Sequence, residues 1–277
     1  MINTKDLELS VALTLASAHI EGETPQSLMI VSDRPESGKT QLVSQFRRID
    51  GIAVVSDVTA KGLLESFRGD LISGKLKHLI IPEFLAPISR NQTTVNSFLS
   101  TIQILIEDGF QRIDTGFMHQ KYDDPKRIGV IACLPKPAFM LNRVKWAASG
   151  LLSRFLLLSY RYSDDTINAI FESIMSRQYL VENELTLNFT GSVAVELPYE
   201  VAKKCKDMAE ATTERARRSR GIYGFRQQES IQRLVMAKVV LDKAQGIDRD
   251  NTATLQDFEV VESISYLFND EFNEVKQ

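Results

Sequence analysis

Five short apolar runs, at residues 28–31, 52–55, 79–81, 128–133 and 155–160, are separated by stretches with helical spacing, notably 62–67 and 95–107. Runs that are apolar throughout, without polar alternation, belong to strands covered on both faces. Strands of that kind alternating with helices point to an α/β fold with a parallel five-stranded sheet between helices. Residues 111–122 read differently: Ile113, Thr115 and Phe117 alternate about Gly116, which suggests a hairpin ahead of the fourth core strand. Residues 7–20 carry a further helical pattern.

Beyond Tyr162 the pattern becomes mostly helical. Ile167, Ile170, Phe171 and Ile174 share one helical face, with Ser163 or Asp164 as N-cap. Leu185, Leu187 and Phe189, then Val193, Val195 and Leu197, alternate across Thr190-Gly191 and predict a short extended ribbon. Pro198 opens a helix to about Arg218, and two more are expected over 226–244 and 254–268. Thr254 and Asp257 have the spacing of a capping box. The expected organisation is an α/β core over 1–165 and a helical part over 166–277.

The first apolar run leads into Ser32-Asp33-Arg34-Pro35-Glu36-Ser37-Gly38-Lys39-Thr40, followed by the amphipathic start Gln41-Leu42-Val43-Ser44-Gln45-Phe46. Strand, tight loop and helix start form the context of a phosphate-binding loop. Backbone N–H groups at the helix start cradle phosphates, Lys39 neutralises β/γ charge, and the Thr40 hydroxyl suits Mg²⁺. The candidate ligand-binding set is Pro35, Glu36, Ser37, Gly38, Lys39, Thr40 and Gln41. Asp33 stands where such loops usually begin with glycine.

Such a loop works with an acidic residue on another strand. His78-Leu79-Ile80-Ile81-Pro82-Glu83-Phe84 offers Glu83 at a strand end, as general base and second metal-side group beside Thr40. Pro82 occupies the place of the acid that usually precedes it. Arg154, in Gly150-Leu151-Leu152-Ser153-Arg154-Phe155, sits at a strand entrance, where an arginine can reach a neighbouring subunit's nucleotide. Arg226 opens a long helix, where the helix dipole disfavours a cation unless an anion faces it.

In this order and spacing these segments resemble the AAA+ ATPases, most closely the minichromosome-maintenance (MCM) branch of replicative helicases. Pro35, Lys39, Thr40, Gln41 and Leu42 match that branch's phosphate loop, and Glu83-Phe84 its strand-end motif. Residues 151–155 match its Leu-Leu-Ser-Arg-Phe and 226–234 its Arg-Gln-x-Glu-Ser helix. The resemblance spans about residues 25–268. It implies a AAA+ core with a helical lid, ATP and Mg²⁺ as cofactors, and ATP hydrolysis. Glu83, Arg154 as trans-acting finger and Arg226 as sensor-two arginine would be the catalytic residues. It also implies self-assembly into a ring or filament, a hexamer among the options, and ATP-driven remodelling or translocation of nucleic acid. The chain departs from the branch at Asp33, at Pro82 and at Leu134, where members carry a polar sensor, usually Asn. Those departures favour an alternative, a nucleotide-gated assembly or loader protein with little hydrolysis. A small-molecule kinase is the third reading, and it gives no purpose to Arg226.

Charge and cysteine content narrow the partners. The 277 residues carry a net charge of −3, so the chain is not one that coats nucleic acid by overall charge. Contact with DNA would use a local surface. Arg215, Arg217, Arg218 and Arg220 form the densest basic cluster, and the hairpin over 111–122 offers Lys121 as a phosphate ligand. Cys133 and Cys205 read as reduced structural thiols, and His19, His78 and His119 lack metal-ligand spacing. Without an apolar run of membrane-spanning length or a signal-like start, the expected compartment is the cytoplasm.

Overall fold

The computed structural model describes residues 4–109, 112–115, 118–121, 125–177, 187–220 and 223–275, with side chains except in 112–115, 118–121 and 214–220. In chain order the elements begin with α1 (Lys5–Ala16), a 3-10 turn (Ser17–His19), β1 (Leu28–Ser32), α2 (Lys39–Ser44) and β2 (Ile52–Val54). Next come α3 (Ala60–Ser66), α4 (Arg68–Ser73), β3 (His78–Ile81), α5 (Leu85–Ile88) and α6 (Gln92–Glu107). A hairpin of β4 (Arg112–Thr115) and β5 (Met118–Lys121) precedes β6 (Gly129–Pro135), α7 (Lys136–Ala148), a 3-10 turn (Leu152–Arg154) and β7 (Leu156–Tyr160). The remainder is helical: α8 (Asp164–Met175), α9 (Tyr199–Arg220), α10 (Phe225–Ala244) and α11 (Leu255–Ile264), the last running into a 3-10 turn (Ser265–Leu267).

The five apolar runs form one sheet in the order β2-β3-β6-β1-β7, and every pairing is parallel. Successive residues of β1 face opposite sides. Leu28 and Ile30 join one apolar cluster with α1, α10 and α11, while Met29 and Val31 join the other with α3, α6 and α7. Because β1 lies between β6 and β7, the chain leaves β1 through α2 and returns at the far edge as β2. The crevice outside the C-terminal ends of β1, β3 and β6 is where a sheet wound in this way places ligands.

The helical part is not separate from the first helix. α1 packs along α10, and the apolar cluster joins Leu7, Val11 and Leu15 to Ile231, Leu234, Val235 and Val261. α10 is buried on most sides, so it acts as the axis of this layer. Thr254 and Asp257 form the capping box at the start of α11, and Ser163 caps α8.

Two features differ from the sequence expectations. α7 is not evident from periodicity, because Leu141 and Val144 are exposed at 86% and 81% while Ala138, Phe139 and Trp146 form its buried face. The alternating segment around Thr190-Gly191 does not pair with itself among the described residues. Val193 instead bridges Ile20 and Glu196 bridges Thr252, both in parallel, so the segment stitches the start of the chain to the α10–α11 connection. Leu185 lies outside the described residues, as do the side chains of Arg215, Arg217, Arg218, Arg220 and Lys121.

Candidate functional site

The loop after β1 turns into α2 through two left-handed residues, Glu36 (φ 61°) and Gly38 (φ 73°). Left-handed backbone suits glycine and strains glutamate, so the loop holds Glu36 in a conformation that a side-chain-bearing residue rarely takes. Gly38 also precedes α2 without a side-chain cap, which leaves the first N–H groups of that helix open toward the crevice.

A cavity of about 440 Å³ lies over this turn. Its walls are Pro35, Glu36, Ser37, Gly38, Lys39, Thr40 and Gln41 from the loop, Pro82 and Glu83 from beyond β3, and Cys133, Leu134 and Pro135 from the end of β6. The seven loop residues expected from sequence, and Glu83 with them, therefore share one cavity.

Inside it, Lys39 Nζ donates to Ser32 Oγ at 2.5 Å and to Ser37 Oγ at 3.1 Å. Burial pulls the Lys39 ammonium below its ordinary pKa, opposed by the nearby carboxylates of Glu83 and Asp33. Across the cavity Thr40 Oγ1 donates to Glu83 Oε1 at 3.2 Å. Cys133 is buried against this site, and burial pushes its thiol up to about 12, so it stays protonated. Asp33, 28% exposed, turns toward Arg34 at 3.7 Å.

The other two candidates meet elsewhere. Neither Arg154 nor Arg226 lines the cavity; both converge on the carboxylate of Glu107, at the C-terminal end of α6. Arg154 Nη1 also donates to the Gly150 carbonyl at 2.7 Å, and Arg226 Nη1 to Ser153 Oγ at 3.3 Å. Among the described residues the buried Arg154 Nε has no hydrogen-bond partner. One carboxylate thus faces two guanidinium groups beside the N-terminus of α10, which has no side-chain cap.

Sequence reading did not find Ser32, Glu107, Tyr160 or Tyr162, although each touches the machinery. A glutamate ending a helix is disfavoured by the dipole and hence asks for a cation, which was a usable signal for Glu107. Tyr160 and Tyr162, two apart at a strand end, were bound to share a face.

Among the described residues no cluster of three His, Cys, Asp or Glu side chains forms a metal cage, and no helix is long and apolar enough to cross a membrane. The donor set Thr40 plus Glu83 fits a hard cation that shares its coordination with phosphate oxygens, the usual arrangement for Mg²⁺.

No family model matches the sequence, and no curated protein matches it. Among solved structures, a protein of Cytophaga hutchinsonii provisionally designated an ATPase is similar over 97% of this chain and 82% of its own, at 12% identity and a TM-score of 0.47.

Proposed function

We propose that this chain is an ATP-binding protein of AAA+ type that hydrolyses ATP in an assembly of its own copies and uses the cycle to remodel or translocate nucleic acid. The observation that carries the reading is that one cavity is built from the loop around Lys39 and from Glu83, just beyond the end of β3. Its backbone turn and Lys39 suit the β- and γ-phosphates, and Thr40 with Glu83 would hold Mg²⁺. When bound, that ion supplies positive charge at the phosphate oxygens. In this reading Glu83 would take the proton from an attacking water, and Lys39 would balance charge on the transferred group.

The position of Arg154 and Arg226 supports assembly. Neither lines its own chain's cavity, and both converge on Glu107, an arrangement open to groups that complete a neighbour's site. Binding DNA through the β4–β5 hairpin belongs to the same reading, with Arg112 and Lys121 directly opposite in its register. Two like charges across a hairpin repel unless an anion lies near them.

A second reading is a nucleotide-gated assembly protein with slow turnover. Pro82 and Leu134 line the cavity at positions where the helicases it resembles carry a metal-side acid and a polar sensor. Phosphoryl transfer depends on positioned charge, so those replacements would slow it. ATP turnover by the purified chain, with and without single- and double-stranded DNA, separates the two. Turnover stimulated by DNA and lost in Lys39→Ala supports the motor. ATP-dependent assembly without turnover above the Lys39→Ala level supports the switch.

A further inference from the structure

The end of β7 touches the phosphate-binding loop through two hydroxyl groups. Tyr160 and Tyr162 each donate to the same acceptor, the Ser37 carbonyl, both at 2.8 Å. Tyr160 is fully buried and also approaches Ser37 Oγ at 3.4 Å, and the two rings lie 5.6 Å apart. The backbone that carries them is held on both sides. Tyr160 O accepts from Asp33 N at 3.1 Å, Arg161 N donates to Asn273 O at 3.0 Å, and Val275 N donates to Arg161 O at 3.1 Å.

The consequence follows from peptide geometry. A trans peptide is planar, with its C=O and N–H pointing in opposite directions, and no peptide bond among the described residues is cis. A Ser37 carbonyl held toward the tyrosines therefore turns the Gly38 N–H away from them, to the cavity side of the loop. Gly38 donates its N–H to no group among the described residues. Glycine also has the freedom to let this peptide flip, and a flipped peptide would present its carbonyl oxygen to an anionic ligand. Something must hold the orientation, and the two hydroxyls are the groups in contact.

We propose that Tyr160 and Tyr162 are positioning residues for the phosphate-binding loop, fixing the Ser37–Gly38 peptide so that its N–H faces the phosphates. This rests on the reading of the cavity as a nucleotide site. Tyrosine hydroxyls are protonated at neutral pH, and burial widens that margin by pushing Tyr162 up to about 12 and Tyr160 well above its ordinary value. Tyr160 also reaches Lys39 indirectly, since the Ser37 hydroxyl it approaches accepts from Lys39 Nζ.

The test compares wild type, Tyr160→Phe, Tyr162→Phe, the double variant and Lys39→Ala. Affinities for Mg·ATP and for inorganic tripolyphosphate are measured by calorimetry, with melting temperature as a control. Each phenylalanine keeps the ring and removes one hydroxyl. A single variant is expected to lose about threefold to tenfold in affinity and the double variant more than tenfold, as for the loss of one and two neutral hydrogen bonds. ATP and tripolyphosphate should weaken in parallel, which a general loosening of the fold would not produce. Should Tyr160→Phe fail to fold, the half-buried Tyr162→Phe carries the test. A double variant binding both probes within twofold of wild type, while Lys39→Ala does not bind, overturns the clamp and leaves the nucleotide site standing. Equal binding by Lys39→Ala and wild type overturns the site, and the clamp with it.

Discussion

Thr40 Oγ1 lies 3.2 Å from Glu83 Oε1, although forty-three positions separate the two residues along the chain. The contact exists because β1 and β3 both flank β6 and end on the same edge of the sheet. A hydroxyl and a carboxylate meeting in the wall of a cavity of about 440 Å³ have different tasks. Glu83→Gln keeps the shape and removes the base, so ATP binding should stay within a few-fold of wild type while turnover falls about a hundredfold or more. Filter binding of labelled ATP beside a phosphate-release assay distinguishes the two. Loss of binding in parallel with turnover would show that Glu83 serves the ligand and not the reaction.

Arg154 and Arg226 share Glu107, and this makes a prediction about mixtures. If both arginines complete a neighbour's site, Arg154→Ala and Lys39→Ala proteins should each be inactive alone. Mixed in equal amounts they should recover a substantial part of wild-type turnover, because some junctions then pair an intact loop with an intact arginine. Arg226→Ala mixed with Lys39→Ala should behave alike. A mixture no more active than its components would place the arginines in a structural role within their own chain.

His78 sets a pH dependence of stability. It is fully buried, and because a backbone carbonyl can only accept, its Nε2 carries the proton it donates to Gln26 O at 3.1 Å. Burial, the largest influence, pulls its pKa down to about 4. A folded-state value below the unfolded value of about 6.5 means that the unfolded chain binds the extra proton first. Stability from this group is complete above about pH 6.5 and declines as pH falls toward 4, by on the order of 3 kcal/mol in full. His19, also lowered chiefly by burial, acts in the same direction. Urea midpoints measured between pH 7 and 5 should fall with acid, and His78→Gln should show a clearly shallower decline. An unchanged slope in that variant would assign the dependence to other groups.

Arg249 ties α10 to α11. Its guanidinium meets Asp242 at 2.6 Å and Asp257 at 2.7 Å, and the two carboxylates are 8% and 5% exposed. Removing the cation leaves both acids short of a partner, so Arg249→Met should cost about 3 kcal/mol or more. Burial raises the Asp257 pKa, but the bonds from Arg249 and Thr254 outweigh it and hold the carboxyl below its ordinary value. Stability gained from that depression is present above the unfolded value of about 4 and is lost as pH falls below it. The gap between variant and wild type in denaturant melts should therefore narrow under acid.

The sheet was legible because its strands are apolar throughout, a pattern available only to strands covered on both sides. The run at 28–31 became β1 and the run at 128–133 became β6, side by side. The loop and Glu83 were legible as residues that share one cavity, because their types are unusual in combination. What could not be read was anything that depends on contact between distant positions. Tyr160 meets Ser37 across more than a hundred residues, and Glu107 meets Arg226 at a similar distance. Neither pairing leaves a local pattern. α7 was hidden for a different reason, since its exposed leucine and valine blur the helical stripe.

The packing of α1 on α10 has a consequence for how the chain comes to be folded. Leu7 and Val11 share their apolar cluster with Leu234 and Val235, more than two hundred residues later. α1 is buried on nearly all sides, and part of that cover comes from α10 and α11, far along the chain. Contacts of such long sequence separation form late and slowly. The strands can pair among themselves, but one face of the sheet is covered fully only once α10 and α11 dock on it. A holding chaperone, or a pause in translation before the C-terminal helices emerge, would have its greatest effect there.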